Sequence, residues 1–241
     1  ISVCFTPDEE VGHGAALLDL ERFGADFAYT MDGGVLNEVN FETFNAASAH
    51  WEINGFNIHP GDAKNTMINA CLVAMEINSM LPSGDTPAKS EGYEGFFHLM
   101  EMSGTVEAAA LDYIVRDHDA AAFAVRKETM RHIEKLINEK YGAGTAKLTL
   151  ADQYRNMAEC LSAHMEVVEL AEKAIRKAGL EPVRVPIRGG TDGAQLSFRG
   201  LPCPNLGTGG YSFHGPFEHI TVEGMDVAVD IILNLISESI A

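Results

Sequence analysis

No stretch of this sequence approaches the run of ~18 apolar residues that a membrane-spanning helix needs, so no segment of it reads as a span. Cysteine is sparse. Cys4, Cys71, Cys160 and Cys203 lie far apart with no C-x-x-C pair, which argues against a zinc ribbon or a dithiol redox motif. Isolated thiols of this kind suit a reducing, cytoplasmic compartment. Basic residues are also few: 17 Lys and Arg stand against 35 Asp and Glu, a formal charge of −18. That field repels phosphate backbones and anionic lipid, so neither nucleic acid nor a membrane surface is an expected partner. There is no G-x-S-x-G elbow, no Gly-Lys-Ser/Thr phosphate loop, and no G-x-G-x-x-G after a strand. Serine-nucleophile catalysis and nucleotide binding therefore have no support.

What is present is an ordinary globular composition, with 46% hydrophobic residues. The opening Ile1-Ser-Val-Cys-Phe5 is neither a signal peptide nor a start methionine and reads as a buried strand already under way. The expectation is a chain cut from something longer. A loop, Thr6-Pro-Asp-Glu-Glu10, and a helix over Ala15–Arg22 follow, then a short strand Phe27–Met31 ending in Asp32-Gly-Gly34. Strands that end in acidic or glycine-rich loops, with a helix between, suggest an open α/β sheet.

The texture changes near Val39. Strand-like alternation over Phe41–Ile53, a helix over Thr66–Met80, strands at Gly95–Met100 and Ala108–Val115, a helix at Ala121–Tyr141 and a strand at Ala146–Leu150 give a β-α-β-β-α-β order. After Met157 the α/β texture returns, with a helix at Met165–Ala178, a strand at Val183–Ile187 and a closing helix at Asp226–Ile240. The expected organisation is an α/β domain in two pieces, 1–41 and 158–241, carrying an inserted α+β ferredoxin-like domain at 42–157.

Several residues are equipped for chemistry. Glu9 and Glu10 leave a strand in different directions, so one can ligate a metal while the other acts as a base. Asp32 is a second carboxylate at a strand end. His214 lies in a loop rich in glycine and proline, with His219 close behind as a weaker candidate. Arg188, in Arg-Gly-Gly-Thr-Asp-Gly193, suits bidentate recognition of a carboxylate. In the inserted domain, His59-Pro-Gly61 and Arg116-Asp-His-Asp119 are polar clusters at strand ends. Taken singly, each also reads as ordinary loop chemistry: a solvated acid pair, an Asx-turn, a tight turn or a surface ion pair.

In order along the chain they form a pattern. TPDEEVGHGA (Thr6–Ala15), MDGG (Met31–Gly34), GFNIHPGDAKNTMINA (Gly55–Ala70), VRDHD (Val115–Asp119), DQYRNM (Asp152–Met157), RGGTDGAQLSFRGLPCPNLGTGG (Arg188–Gly210) and FHGPFEH (Phe213–His219) resemble the co-catalytic zinc exopeptidases. Within that family the peptidase T group is the most similar. The resemblance implies a zinc exopeptidase-type α/β catalytic domain, present in part, with the inserted domain as a lid that also serves dimerisation. It implies an aminotripeptidase with two zinc ions per complete site, small peptide substrates and a homodimer as an open option. Glu9 would be the general base. Glu10 and His214 would hold one zinc and Asp32 the other. Arg188 would bind the peptide carboxylate or backbone, Arg116 would assist, and His59 would stabilise the oxyanion. The family's remaining ligands, a His-x-Asp and a bridging Asp, precede the position of Glu9 and have no counterpart here. The chain alone is therefore expected to hold zinc poorly and to be inactive. A related aminoacylase or dipeptidase, and a non-catalytic binding or dimerisation module, are the alternative readings.

Overall fold

In a computed structural model, residues 1–7, 9, 12 and 14–240 are described. Two compact units emerge, one formed by 1–43 with 155–241 and the other by 44–154. In chain order the first segment holds α1 (Leu20–Phe23), β1 (Thr30–Met31) and β2 (Glu38–Asn40). The central unit holds β3 (Asn45–Asn54), α2 (Ala70–Met80), β4 (Phe96–Gly104), β5 (Ala108–Asp117), α3 (Ala120–Tyr141) and β6 (Ala146–Tyr154). The last segment holds α4 (Ala158–Leu161), α5 (Met165–Lys177), β7 (Val183–Arg184) and α6 (Asp192–Phe198). It continues with β8 (Asn205–Leu206), β9 (Gly210–Tyr211), β10 (His219–Ile220) and α7 (Val222–Ser239).

The central unit is a four-stranded antiparallel sheet in the order β4-β5-β3-β6. With its two helices this is the split ferredoxin-like arrangement. Residues of β5 alternate, so that Ala109, Leu111, Tyr113 and Val115 are buried while Asp112, Ile114 and Arg116 are only half-buried. The buried row meets the inner faces of α2 and α3 in one core containing Trp51, Ile53, Val73, Ile77, Leu111, Met130, Ile133 and Ile137. Each fully buried aliphatic side chain of this kind stabilises by about 1.5–3 kcal/mol. Helix α3 begins where Asp119 accepts a hydrogen bond from Ala122 N at 2.7 Å, and it ends at Gly142, whose φ of 112° few other residues tolerate. The β3–β6 ladder is irregular at one point. Ala47 pairs with Asp152 and Ala46 with Tyr154, which leaves Gln153 as the extra residue of a β-bulge.

The other unit carries a mixed sheet in the order β1-β8-β2-β7. β1 runs parallel to β8 and β2 parallel to β7, while β2 and β8 are antiparallel. Helices α5 and α7 cover it through Val168, Ala171, Ala174, Ile175, Ile231 and Leu235, packed with Val39 and Leu206. Two local expectations are corrected here. Ile1–Phe5 is not a buried strand: no described strand pairs with it, and Ile1, Val3 and Phe5 are 91%, 73% and 93% exposed. The helix expected from Ala15 starts only at Leu20, because Asp19 caps it by accepting from Arg22 N at 3.0 Å.

Candidate active site

Asp32 immediately follows β1, and the run Gly207–Gly210 follows β8. These two strands are parallel, so both segments leave the same end of the pair. There they are stitched together. Thr208 N and Thr208 Oγ1 donate to Gly33 O at 3.1 and 2.8 Å, and Gly209 N donates to Gly34 O at 2.9 Å. Beneath them runs a buried polar chain: Thr30 Oγ1 donates to Asn205 Oδ1 at 2.8 Å, Asn205 Nδ2 to Asn40 Oδ1 at 2.9 Å, and Asn40 Nδ2 to Val185 O at 2.9 Å. Each amide in the chain is satisfied, which makes its burial tolerable. A Cβ on Gly33 would sit 2.6 Å from Asn205 Nδ2, so only glycine fits that approach. The exposed carboxylate of Asp32 is thus carried on a loop fixed from below.

The segment bearing Glu9 is anchored from a distance. Asp192, the first residue of α6 and itself buried, accepts Thr6 Oγ1 at 2.8 Å and Ala15 N at 2.9 Å. Glu9 is half-buried, and its carbonyl accepts from Gly12 N at 2.7 Å. Glu10 and His13 lie outside the described residues. Asp192 was not singled out in the sequence as a site residue. Its signal there is only its place after Thr191, the cap of α6.

His214 follows β9 and is exposed, with a left-handed φ of 59°, as at Ser212. Non-glycine residues seldom adopt that region without support. The support is local: His214 N donates to Glu218 Oε2 at 3.0 Å and Gly215 N to Ser212 O at 3.1 Å. His219 is held differently. It stacks on Tyr211 at 5.2 Å, and its Nδ1 lies 2.8 Å from Phe217 O. Arg188 is half-buried between Ile187, whose N donates to Glu42 O at 2.9 Å, and the Thr191 cap.

In the central unit, His59 is exposed and caps a short 3-10 turn over Pro60–Asp62, its Nδ1 accepting from Gly61 N at 3.1 Å. Arg116 projects from the sheet face opposite the helices. Its Nη1 donates to Ala47 O at 3.1 Å and Val115 O at 2.9 Å, and its Nη2 to Gln153 Oε1 at 3.0 Å. The Tyr154 ring centroid lies 5.4 Å from the guanidinium carbon. Burial pushes the Arg116 pKa down, with Tyr154 acting the other way.

Among the described residues no three His, Cys, Asp or Glu side chains form a metal-binding cluster. The chemistry of the donor set nonetheless fits zinc. A carboxylate at a strand end and an imidazole on a turn are residue types that zinc takes at approximately 2.0–2.2 Å in known sites.

Known proteins fit this architecture. The sequence profile described as "Peptidase dimerisation domain" matches residues 41–145. A peptidase T from Clostridium perfringens is 56% identical over 236 residues, covering 98% of this chain and 58% of that protein. One from Staphylococcus carnosus is 50% identical over 238 residues, covering 99% and 58%. Among solved structures, aminopeptidase PepT from Bacillus cereus superposes with a TM-score of 0.84 at 22% identity, covering 98% of this chain and 63% of that one. The Bacillus subtilis YXEP protein, described as a dinuclear metal-binding peptidase of the M20 family, gives 0.68 at 20% identity, covering 98% and 65%. The chain spans 58% of the length of the relatives it matches in sequence. No described helix is long and apolar enough to cross a membrane. Over 98% of its length this chain is similar in sequence to peptidase T, residues 41–145 match a peptidase dimerisation domain, and its fold is that of the solved PepT structure.

Proposed function

We propose that this chain belongs to a zinc-dependent aminotripeptidase that releases the N-terminal residue of tripeptides. The observation that carries the reading is 56% identity to a peptidase T across 98% of the chain. The geometry supports it, since Asp32 and the segment leading to His214 leave one end of a strand pair on stitched, glycine-rich loops.

In this reading Glu10 and His214 would hold one zinc and Asp32 the other, and the bound metals would supply Lewis-acid polarisation of the scissile carbonyl. Glu9 takes a proton from the attacking water and returns it to the leaving amine. Arg188 binds the peptide's C-terminal carboxylate or its backbone, and Arg116 assists. His59 donates to the oxygen that gains charge. The unit 44–154 acts as lid and dimerisation domain, and a second copy of the chain is the partner. Its edge strand β4 exposes Met100 and Met102, at 60% and 44%.

The test is hydrolysis of tripeptides by a protein of the relatives' full length carrying this sequence, before and after chelation and with zinc restored. Zinc-restored release of the N-terminal residue supports the reading. Cleavage of acyl-amino acids or dipeptides with no tripeptide turnover would favour the aminoacylase-type alternative.

A further inference from the structure

Arg116 carries a charge that no described carboxylate neutralises. Other partly buried cations of the same unit have acidic partners: Arg126 pairs with Asp85 and Asp117 at 2.6 and 2.7 Å, and Lys127 with Asp152 at 2.7 Å. The oxygens around Arg116 are neutral: two backbone carbonyls, the amide of Gln153 and the Tyr154 hydroxyl. What shifts its pKa is burial and Tyr154. Burial also raises the Tyr154 pKa, against the pull of Arg116, so this hydroxyl stays protonated and uncharged at neutral pH. A desolvated guanidinium without a counter-ion is costly, and that cost falls when an anion arrives.

The β-bulge is what builds this surrounding. Arg116 is in register with Ala46 on β3, and Ala46 is in register with Tyr154 on β6. In a regular ladder Gln153 and Tyr154 would point to opposite faces. The extra residue breaks that alternation, and both side chains reach the same guanidinium. Three of the five guanidinium N–H groups are engaged by the Ala47, Val115 and Gln153 oxygens and a further one by the Tyr154 hydroxyl, leaving one for a ligand.

We propose that Gln153 and Tyr154 are positioning residues, a neutral clamp that fixes the orientation of Arg116 and leaves its charge for the carboxylate of a peptide ligand. This rests on the reading of Arg116 as a carboxylate binder. It assigns a role to the Asp152–Met157 run, which the proposed chemistry otherwise leaves without one.

The experiment compares a tripeptide with its C-terminal amide, in a protein of the relatives' full length carrying this sequence, for wild type, Arg116→Lys, Gln153→Ala and Gln153→Glu. Gln153→Glu keeps an acceptor in place but supplies an internal counter-ion. It should raise KM for the free acid about tenfold or more, with little effect on the amide and no loss of thermal stability. Gln153→Ala should raise KM for the acid by a smaller factor, the effect falling on KM rather than kcat. A purely structural Gln153 would leave the Gln153→Glu preference for acid over amide intact. That result, alongside a preference lost in Arg116→Lys, overturns the clamp. A preference retained in Arg116→Lys overturns the carboxylate role of Arg116 itself, and the clamp with it.

Discussion

Thr6 donates a 2.8 Å hydrogen bond to Asp192, 186 residues further along the chain. The other oxygen of that carboxylate accepts Ala15 N at 2.9 Å in a buried position. The two bonds bracket Glu9, so the place of the proposed base depends on a residue far away in sequence.

Asp192→Ala should therefore do more than remove a surface acid. It strands the buried Ala15 N–H without an acceptor, a loss of about 1–3 kcal/mol. Urea unfolding should show a lower midpoint with an unchanged slope, and in a protein of the relatives' full length carrying this sequence tripeptide turnover should fall with the loosening of the Glu9 segment. A midpoint equal to wild type would mean the two bonds contribute nothing net.

Gly33→Ala tests the other anchor. The added Cβ would meet Asn205 Nδ2 at 2.6 Å and Leu206 O at 3.2 Å, and the backbone atom has no room to give. Relief requires Asn205 to abandon Asn40, which breaks the buried polar chain. The expected destabilisation is about 1–3 kcal/mol. In a protein of the relatives' full length carrying this sequence zinc affinity should weaken too, because Asp32 adjoins the displaced residue; isothermal titration would show it. Unaltered stability and affinity would remove the argument that this loop is held from below.

The cysteines should separate by reactivity. Burial pushes the Cys203 thiol up to about 12, and the residue is 0% exposed. At pH 8 its thiolate fraction is on the order of one in ten thousand. Cys4 is exposed. Brief iodoacetamide treatment of the native protein, read by peptide mass spectrometry, should label Cys4 and leave Cys203 unmodified until denaturant is added. Early labelling of Cys203 would show that the region around β8 opens readily.

Much of this was legible in the sequence, and the gaps have physical causes. The periodicities of α2, α3 and α5 and the alternation of β5 announce themselves because each element buries one face against a large core. Strands of two residues carry no period: the sequence reads β1 and β7 each three residues too long and misses β8, because these strands are defined by partners distant in sequence. Ile1–Phe5 misleads for the same reason, since apolar content alone cannot supply a neighbouring strand. Asp32, His214 and Arg188 could be put forward as candidates from motifs. Asp192 as an anchor and Gln153 as a bulge could not, because both roles exist only through residues brought in from elsewhere in the chain.

The unit 44–154 offers the strictest test of the architecture. Its core closes on itself: Leu111 is fully buried, lies in register with Trp51 across β5 and β3, and shares a cluster with Ile77 from α2 and Met130 and Ile137 from α3. Every sheet strand of that cluster comes from within the unit. A polypeptide of residues 44–154 should thus fold alone, with one cooperative urea transition reported alike by circular dichroism and Trp51 fluorescence. Leu111→Ala within it should lower stability by about 2–5 kcal/mol, because the helices above and the sheet cannot collapse fully into the space left. A marginal unit of this size would then unfold outright near room temperature. If the isolated unit instead shows no cooperative transition, its stability comes from the rest of the chain, and the lid role proposed for it loses its physical basis.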